Sequence, residues 1–156
     1  MAESEAELAT YVVPLQKSSI LIPGEMVAEI IPYEPLQRIQ DSPDWFLGFL
    51  GWRGVQVPVA SFEMLTIEKA SFSLVSVSSA SLVVLQALGN RDDFSYFAIV
   101  AQAAPVLTEI TESQLLETED PVEKTELAKA RLAADNVSIP DFDHIESEIR
   151  RVAFQG

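Results

Sequence analysis

The chain has no cysteine, which removes disulfides, thiolate metal sites and cysteine nucleophiles together and fits a reducing compartment. Histidine occurs once, as His144, flanked by Asp141, Asp143 and Glu146. Neighbouring positions on a helix point to different faces, and a metal site needs several converging ligands. His144 therefore reads as an imidazole on a solvated helix end, and no metal is expected. Serine is abundant, but a serine nucleophile needs a base and an orienting group, and no serine stands in a G-x-S-x-G context. Phosphate-binding glycine motifs are missing too. Gly48, Gly51 and Gly54 fall in expected strands and a turn, with no helix following. No catalytic residue and no cofactor are expected.

Basic residues are also scarce. Ten Lys and Arg face 24 Asp and Glu, for a net charge of −14. Such a surface repels phosphate backbones and argues against nucleic-acid binding. The acidity reads first as solubility and second as steering toward basic partner surfaces. Residues 1–10 carry Glu3, Glu5 and Glu7 and no basic residue, so they do not read as a secretory signal but as a solvated, frayed tail. Ala70 to Asn90 is free of charge but rich in serine. Phe72 to Val77 partly alternates with serine, the pattern of a strand with one wet face, and no basic flank anchors the run. Direct membrane insertion is not expected.

What is present is 156 residues, 48% of them hydrophobic, enough for one compact domain with a sizeable core. The first half reads as short strands punctuated by proline and glycine. Tyr11 to Gln16 and Ser19 to Ile22 form a hairpin candidate around Lys17 and Ser18. Met26 to Ile31 follows the Pro23-Gly24 turn signal and ends at Pro32. Phe46 to Trp52 and Val55 to Phe62 flank the tight turn Arg53-Gly54. Thr66 to Ala80 reads as a partly extended connection. Leu82 to Leu88 and Tyr96 to Ala101 then flank the polar loop from Gly89 to Asp93. Many short strands with regular turns predict an all-β barrel or sandwich.

Toward the C-terminus local signals conflict. Thr111 and Gln114 have capping-box spacing, predicting a helical turn through Leu116. Glu123 to Ala134 has helix-forming composition, but Ala130, Leu132, Val137 and Ile139 alternate with polar residues around Asp135-Asn136. A hairpin over Ala128 to Ile139 accounts for the alternation, with Asp135-Asn136 at its turn. Asp141 to Phe154 is the clearest helix, with Ile145, Ile149 and Val152 on one face. Trp45 and Trp52 read as aromatics packed under a hairpin.

One segment carries more than local structure. Val27-Ala28-Glu29-Ile30-Ile31 is followed by the proline-bounded Ser42-Pro43-Asp44-Trp45, then by Gly48-Phe49-Leu50-Gly51-Trp52-Arg53-Gly54 and Val57-Pro58-Val59. This order of V-x-E-I, G-x-x-x-x-R-G and P-V resembles the signature of the CheW-like domain family. Leu82 to Leu85 resembles the strand that opens the family's second subdomain, Phe97 to Ala101 its hairpin partner, and Ile139 to Asp143 the terminal strand-to-helix stretch. Ser61 and Gln102 stand where the family usually has aspartate, and Ala98 where it usually has glycine, which marks a divergent member. The wording around Trp52 to Glu63 resembles variants associated with type IV pilus (twitching) chemosensory systems.

The resemblance implies two intertwined five-stranded SH3-like β-barrel subdomains around a shared core, with a short C-terminal helix. It implies one domain over residues 11–156, with a first barrel at about 20–65, a second at about 80–140, and closing segments from both ends. It further implies a non-enzymatic cytoplasmic adaptor that joins the cytoplasmic tip of a chemoreceptor to the regulatory domain of a histidine kinase, and reaches membrane arrays only through those partners. The implied partner-binding residues are Val27, Glu29, Gly48, Arg53, Gly54, Val55 and Val57. Val27, Gly48, Val55 and Val57 are expected to line an exposed apolar groove, so that a charge at Val27 or Val57 abolishes binding while the fold survives. Glu29 and Arg53 are expected to form a guanidinium-carboxylate pair that fixes the hairpin. Alternatives from other classes are a regulatory or localisation module that reuses the fold without receptor contact, and a small-ligand-binding barrel with a deep closed pocket.

Overall fold

The structure is a computed structural model, and it describes residues 6–16, 18–66, 78–87 and 94–153. The strand predicted over Phe72 to Val77, most of the connection from Thr66 to Ala80, and the loop from Gly89 to Asp93 lie outside the described residues.

Eleven strands are present among the described residues. They are β1 (Leu8–Pro14), β2 (Ser19–Pro23), β3 (Val27–Pro32), β4 (Phe46–Trp52), β5 (Val55–Ala60), β6 (Ser81–Gln86), β7 (Tyr96–Ala101), β8 (Val106–Ile110), β9 (Leu115–Glu117), β10 (Glu126–Leu132) and β11 (Asp135–Pro140). Two helices accompany them, α1 (Phe62–Thr66) and α2 (Phe142–Ala153). One sheet has the order β8-β1-β2-β11-β10-β9 and the other β3-β6-β7-β5-β4. The chain thus starts in the six-stranded sheet, crosses to build the whole five-stranded sheet, and returns to finish the first. Each sheet contains one parallel pair, β2 with β11 and β5 with β7, where segments distant in sequence meet.

This interleaving corrects the expected subdomain boundaries. Leu82 to Leu85 and Phe97 to Ala101 do not open a second barrel; they lie in β6 and β7 at the centre of the same sheet as β3, β4 and β5. The reason lies in their two faces. Val83, Leu85, Phe97, Ile99 and Ala101 pack into a core shared with Val13, Ile20 and Ile22 of the other sheet. Leu82, Val84, Ala98 and Val100 point the other way, against Leu50, Trp52, Val57 and Val59 within their own subdomain. Strands buried on both faces read as unbroken apolar runs, as these do. A third cluster of Leu21, Ile110, Ala130 and Val137 fills the six-stranded subdomain. The molecule is therefore two β-barrel-like subdomains around a shared core, the second with six strands instead of five.

The helices close that core. Ser61 Oγ accepts from Met64 N at 3.2 Å at the start of α1, which contributes Phe62 and Leu65. Asp141 Oδ1 accepts from His144 N at 3.2 Å at the start of α2, a side-chain N-cap. Helix α2 then buries Phe142, Ile145 and Ile149 on one stripe.

Three local expectations change. Leu8 to Thr10 are not a frayed tail: they pair with Ile110, Glu109 and Thr108 of β8. The capping box at Thr111 forms, with Thr111 N–H donating to Gln114 Oε1 at 2.7 Å, but it caps only a 3-10 turn, Glu112–Gln114. Leu115 and Leu116 are extended because β9 pairs with β10. The last hairpin turns at Ala133 and Ala134, with Asp135 already opposite Leu132. Ala130 faces Val137 across the ladder and both are buried, so the apolar register sets the turn ahead of local turn preference.

Candidate partner-binding site

Strands β3 and β4 are the two outermost strands of the five-stranded sheet, and the chain between them bridges to β4 at Gln37. Gln37 exchanges two backbone hydrogen bonds with Phe49, at 2.9 and 2.8 Å. Phe49 follows Gly48, whose φ of +131° is open to glycine and strained for other residues. A Cβ at Gly48 would stand 2.6 Å from the Gln37 carbonyl oxygen, so glycine is needed here to let the two backbones approach. Gly48 is buried and serves this crossing; its expected place in an exposed groove is corrected.

The hairpin from β4 to β5 turns at Arg53 (φ +48°) and Gly54 (φ +79°), with Trp52 opposite Val55. Two consecutive left-handed residues give a turn whose twist matches the flanking strands. Gly54 supplies one of them without strain, and Arg53 is held in the other by what surrounds it. Its guanidinium carbon lies 4.6 Å from the centre of the Trp52 ring, and its Nη2 donates to Glu29 Oε1 at 3.3 Å. The expected pair between Glu29 and Arg53 is therefore formed, though Arg53 keeps 66% of its side chain exposed.

The same carboxylate oxygen has a shorter partner that the sequence reading did not anticipate. Trp52 Nε1–H donates to Glu29 Oε1 at 2.7 Å. Trp52 is only 7% exposed, lies in the subdomain core as expected of a packed aromatic, and meets Tyr96 edge-on with ring centres 4.9 Å apart. A buried indole N–H needs an acceptor, and that requirement was the signal available in the sequence.

The four apolar positions separate. Val55 is 48% exposed at the start of β5. Val57 is 1% exposed inside the core cluster with Leu50 and Trp52, so it is not presented to a partner. Val27 is half-buried and packs against the shared core. A single exposed apolar groove of Val27, Gly48, Val55 and Val57 is not what the structure forms. It brings together Glu29, Trp52 and Arg53, with Gly54 and Val55 beside them at the hairpin tip.

Elsewhere, His144 Nε2 lies 3.8 Å from Glu148, and among the described residues no group of three or more His, Asp or Glu is placed to hold a metal ion. An apolar cleft of about 500 Å³ lies in the six-stranded subdomain, lined by residues such as Leu8, Leu21, Ile110 and Ile139, and it opens to solvent. No helix among the described residues is long and apolar enough to cross a membrane.

Comparison with known proteins agrees with this geometry. The crystal structure of the scaffolding protein TtCheW from Thermoanaerobacter tengcongensis superposes with a TM-score of 0.69 at 13% identity, covering 86% of this chain and 89% of that one. That likeness carries the fold alone. No curated protein sequence matches the chain. The family model described as the CheW-like domain matches residues 10–148, nearly the whole of the described structure. The chain belongs to the CheW-like domain family.

Proposed function

We propose that the protein is a non-catalytic adaptor that couples chemoreceptor cytoplasmic tips to the regulatory domain of a histidine kinase. In this reading it works in the cytoplasm and joins membrane arrays through those two partners. The observation that supports it most directly is the hairpin tip, where an exposed cation and an exposed valine stand on a turn fixed from below. Arg53 and Val55 offer a charge and an apolar contact side by side, the combination that takes one face of an amphipathic helix. The structural relative from Thermoanaerobacter tengcongensis is a scaffolding protein, and coupling is the scaffold role proposed for this chain. The type IV pilus setting rests on the sequence resemblance and is part of the same proposal.

The test is a binding measurement between the full chain and a soluble coiled-coil fragment of a receptor tip from the native bacterium, with and without kinase. Wild type binds the fragment, and Arg53→Glu and Val55→Asp each weaken binding while the unfolding midpoint stays near wild type. A wild-type chain that binds kinase but no receptor fragment would instead identify a regulatory module that reuses the fold.

A further inference from the structure

We infer that Trp52 is the positioning residue of the docking hairpin: its indole N–H, more than the Arg53 guanidinium, holds Glu29 and closes the seam between β3 and β4. The docking half of this inference rests on the function proposed above; the seam half does not.

Three observations carry it. The indole bond is the shorter of the two that meet at Glu29 Oε1, 2.7 Å against 3.3 Å, and its donor is buried where the other is exposed. A hydrogen bond from a buried donor to a carboxylate is worth more than an exposed ion pair, which water and salt screen. Second, Trp52 cannot move independently. It ends β4 opposite Val55, packs in the core with Leu50 and Val57, and has Tyr96 against its ring. Whatever Trp52 holds is therefore fixed to the barrel, whereas Arg53 sits on a two-residue turn. Third, the Trp52 face supports the guanidinium at 4.6 Å, and among the described residues Glu29 is the only hydrogen-bond partner of Arg53. A guanidinium has five N–H donors, so most remain for a carboxylate or carbonyl on a docked partner. The indole thus does two jobs from one position. It anchors Glu29 through its edge and aims Arg53 through its face.

The experiment separates the indole bond from the ion pair by what each variant retains. Glu29→Gln keeps an acceptor oxygen for the indole and loses the charge; Glu29→Met loses both; Arg53→Met removes only the cation. Hydrogen exchange of the Trp52 indole proton, assigned by its loss in Trp52→Phe, reads the bond in the full chain without any partner. Exchange in Arg53→Met stays within about twofold of wild type, Glu29→Gln raises it about threefold because a neutral acceptor remains, and Glu29→Met accelerates it about tenfold, the scale of one charge-assisted hydrogen bond. In Trp52→Phe, backbone exchange across Val27–Pro32 and Phe46–Trp52 rises, and affinity for the soluble receptor-tip fragment falls although Arg53 is intact. Acceleration in Arg53→Met equal to that in Glu29→Met would overturn the inference, because the ion pair would then be the tie. Unchanged backbone exchange in Trp52→Phe would overturn it as well. A wild-type chain that binds no receptor fragment overturns the docking half together with the proposed function, and the exchange results still decide the seam.

Discussion

The indole N–H of Trp52 and the carboxylate of Glu29 meet at 2.7 Å across the seam of the five-stranded subdomain, and Arg53 reaches the same oxygen at 3.3 Å. This sharing changes what a charge swap should do. If Glu29 and Arg53 formed an isolated pair, exchanging them would restore the attraction with reversed polarity. Glu29→Arg instead places a cation against an indole N–H that can only donate, and removes its acceptor. The double variant Glu29→Arg with Arg53→Glu is therefore expected to be no more stable than Glu29→Arg alone. Urea unfolding of the four proteins in a double-mutant cycle checks this, and a stability regain of half or more of the single-variant loss would refute it.

Val55 and Val57 stand two residues apart on one strand and should separate surface from core. Val57→Asp buries an unpaired carboxylate and is expected to cost about 3 kcal/mol or more. Val55→Asp is expected to change stability by less than about 0.5 kcal/mol, since it sits on an exposed tip. Denaturant midpoints for the two variants decide it. Loss of partner binding in a Val57 variant is then attributable to unfolding and not to a removed contact.

Gly48→Ala is expected to destabilise by about 1–3 kcal/mol, because the new Cβ must occupy a left-handed backbone and push against the Gln37 carbonyl. Gly51→Ala, three residues along β4 with nothing within 4 Å of its Cβ, is the control and should behave like wild type within about 0.5 kcal/mol. Equal losses at the two glycines in thermal unfolding would mean that the Gln37 crossing does not limit position 48.

Most of the strands were legible because their patterns are local. The turn at Arg53-Gly54 lies between apolar runs, and α2 shows its stripe at Ile145 and Ile149. The expected Glu29–Arg53 pair was legible because basic residues are few and the family order places the two segments together. What was not legible depends on contacts across the sheet order. Nothing local assigns β6 and β7 to the five-stranded sheet; that follows from burying both of their faces, which requires knowing the partner of each. Val55 and Val57 look alike in sequence, and only the closure of the barrel behind β5 makes one exposed and the other buried. The turn at Ala133 lost its sequence signal to Asp135-Asn136 because register is set by the pair Ala130 and Val137, several residues away.

Acid sensitivity should trace in part to α2. Arg151 donates to Glu148 Oε2 at 2.6 Å, and this bond holds the Glu148 carboxyl below its ordinary value, against the opposing effect of burial. The charges of Arg151, His144 and Lys124 act in the same lowering direction. A depressed folded value means that the unfolded chain binds the proton first as pH falls. The stabilisation is therefore complete above the ordinary glutamate value and is lost as pH drops through the lowered folded value. Glu148→Gln should be less stable than wild type at neutral pH, by about 1 kcal/mol at most for a partly exposed pair. It should also lose less stability than wild type on acidification. Urea midpoints at neutral and acidic pH test this, and parallel pH profiles for the two proteins would count against it.

The interleaved chain makes a further demand on cooperativity. Val13, Ile20 and Ile22 from the six-stranded sheet share one cluster with Val83, Phe97 and Ile99 from the five-stranded sheet, and α2 covers it with Phe142, Ile145 and Ile149. Neither sheet can separate without exposing that cluster, and each alone is small for an independent core. One unfolding transition is therefore expected, with calorimetric and van't Hoff enthalpies in agreement. Phe97→Ala, at the centre of the shared cluster, is expected to lower stability by about 3–5 kcal/mol and to shift the single transition as a whole. Val137→Ala lies in the cluster private to the six-stranded subdomain. If that subdomain melted on its own, Val137→Ala would split the transition; in a shared-core molecule it only displaces it. Differential scanning calorimetry of both variants distinguishes the outcomes, and two resolved peaks that respond separately to the two substitutions would sink the shared-core account.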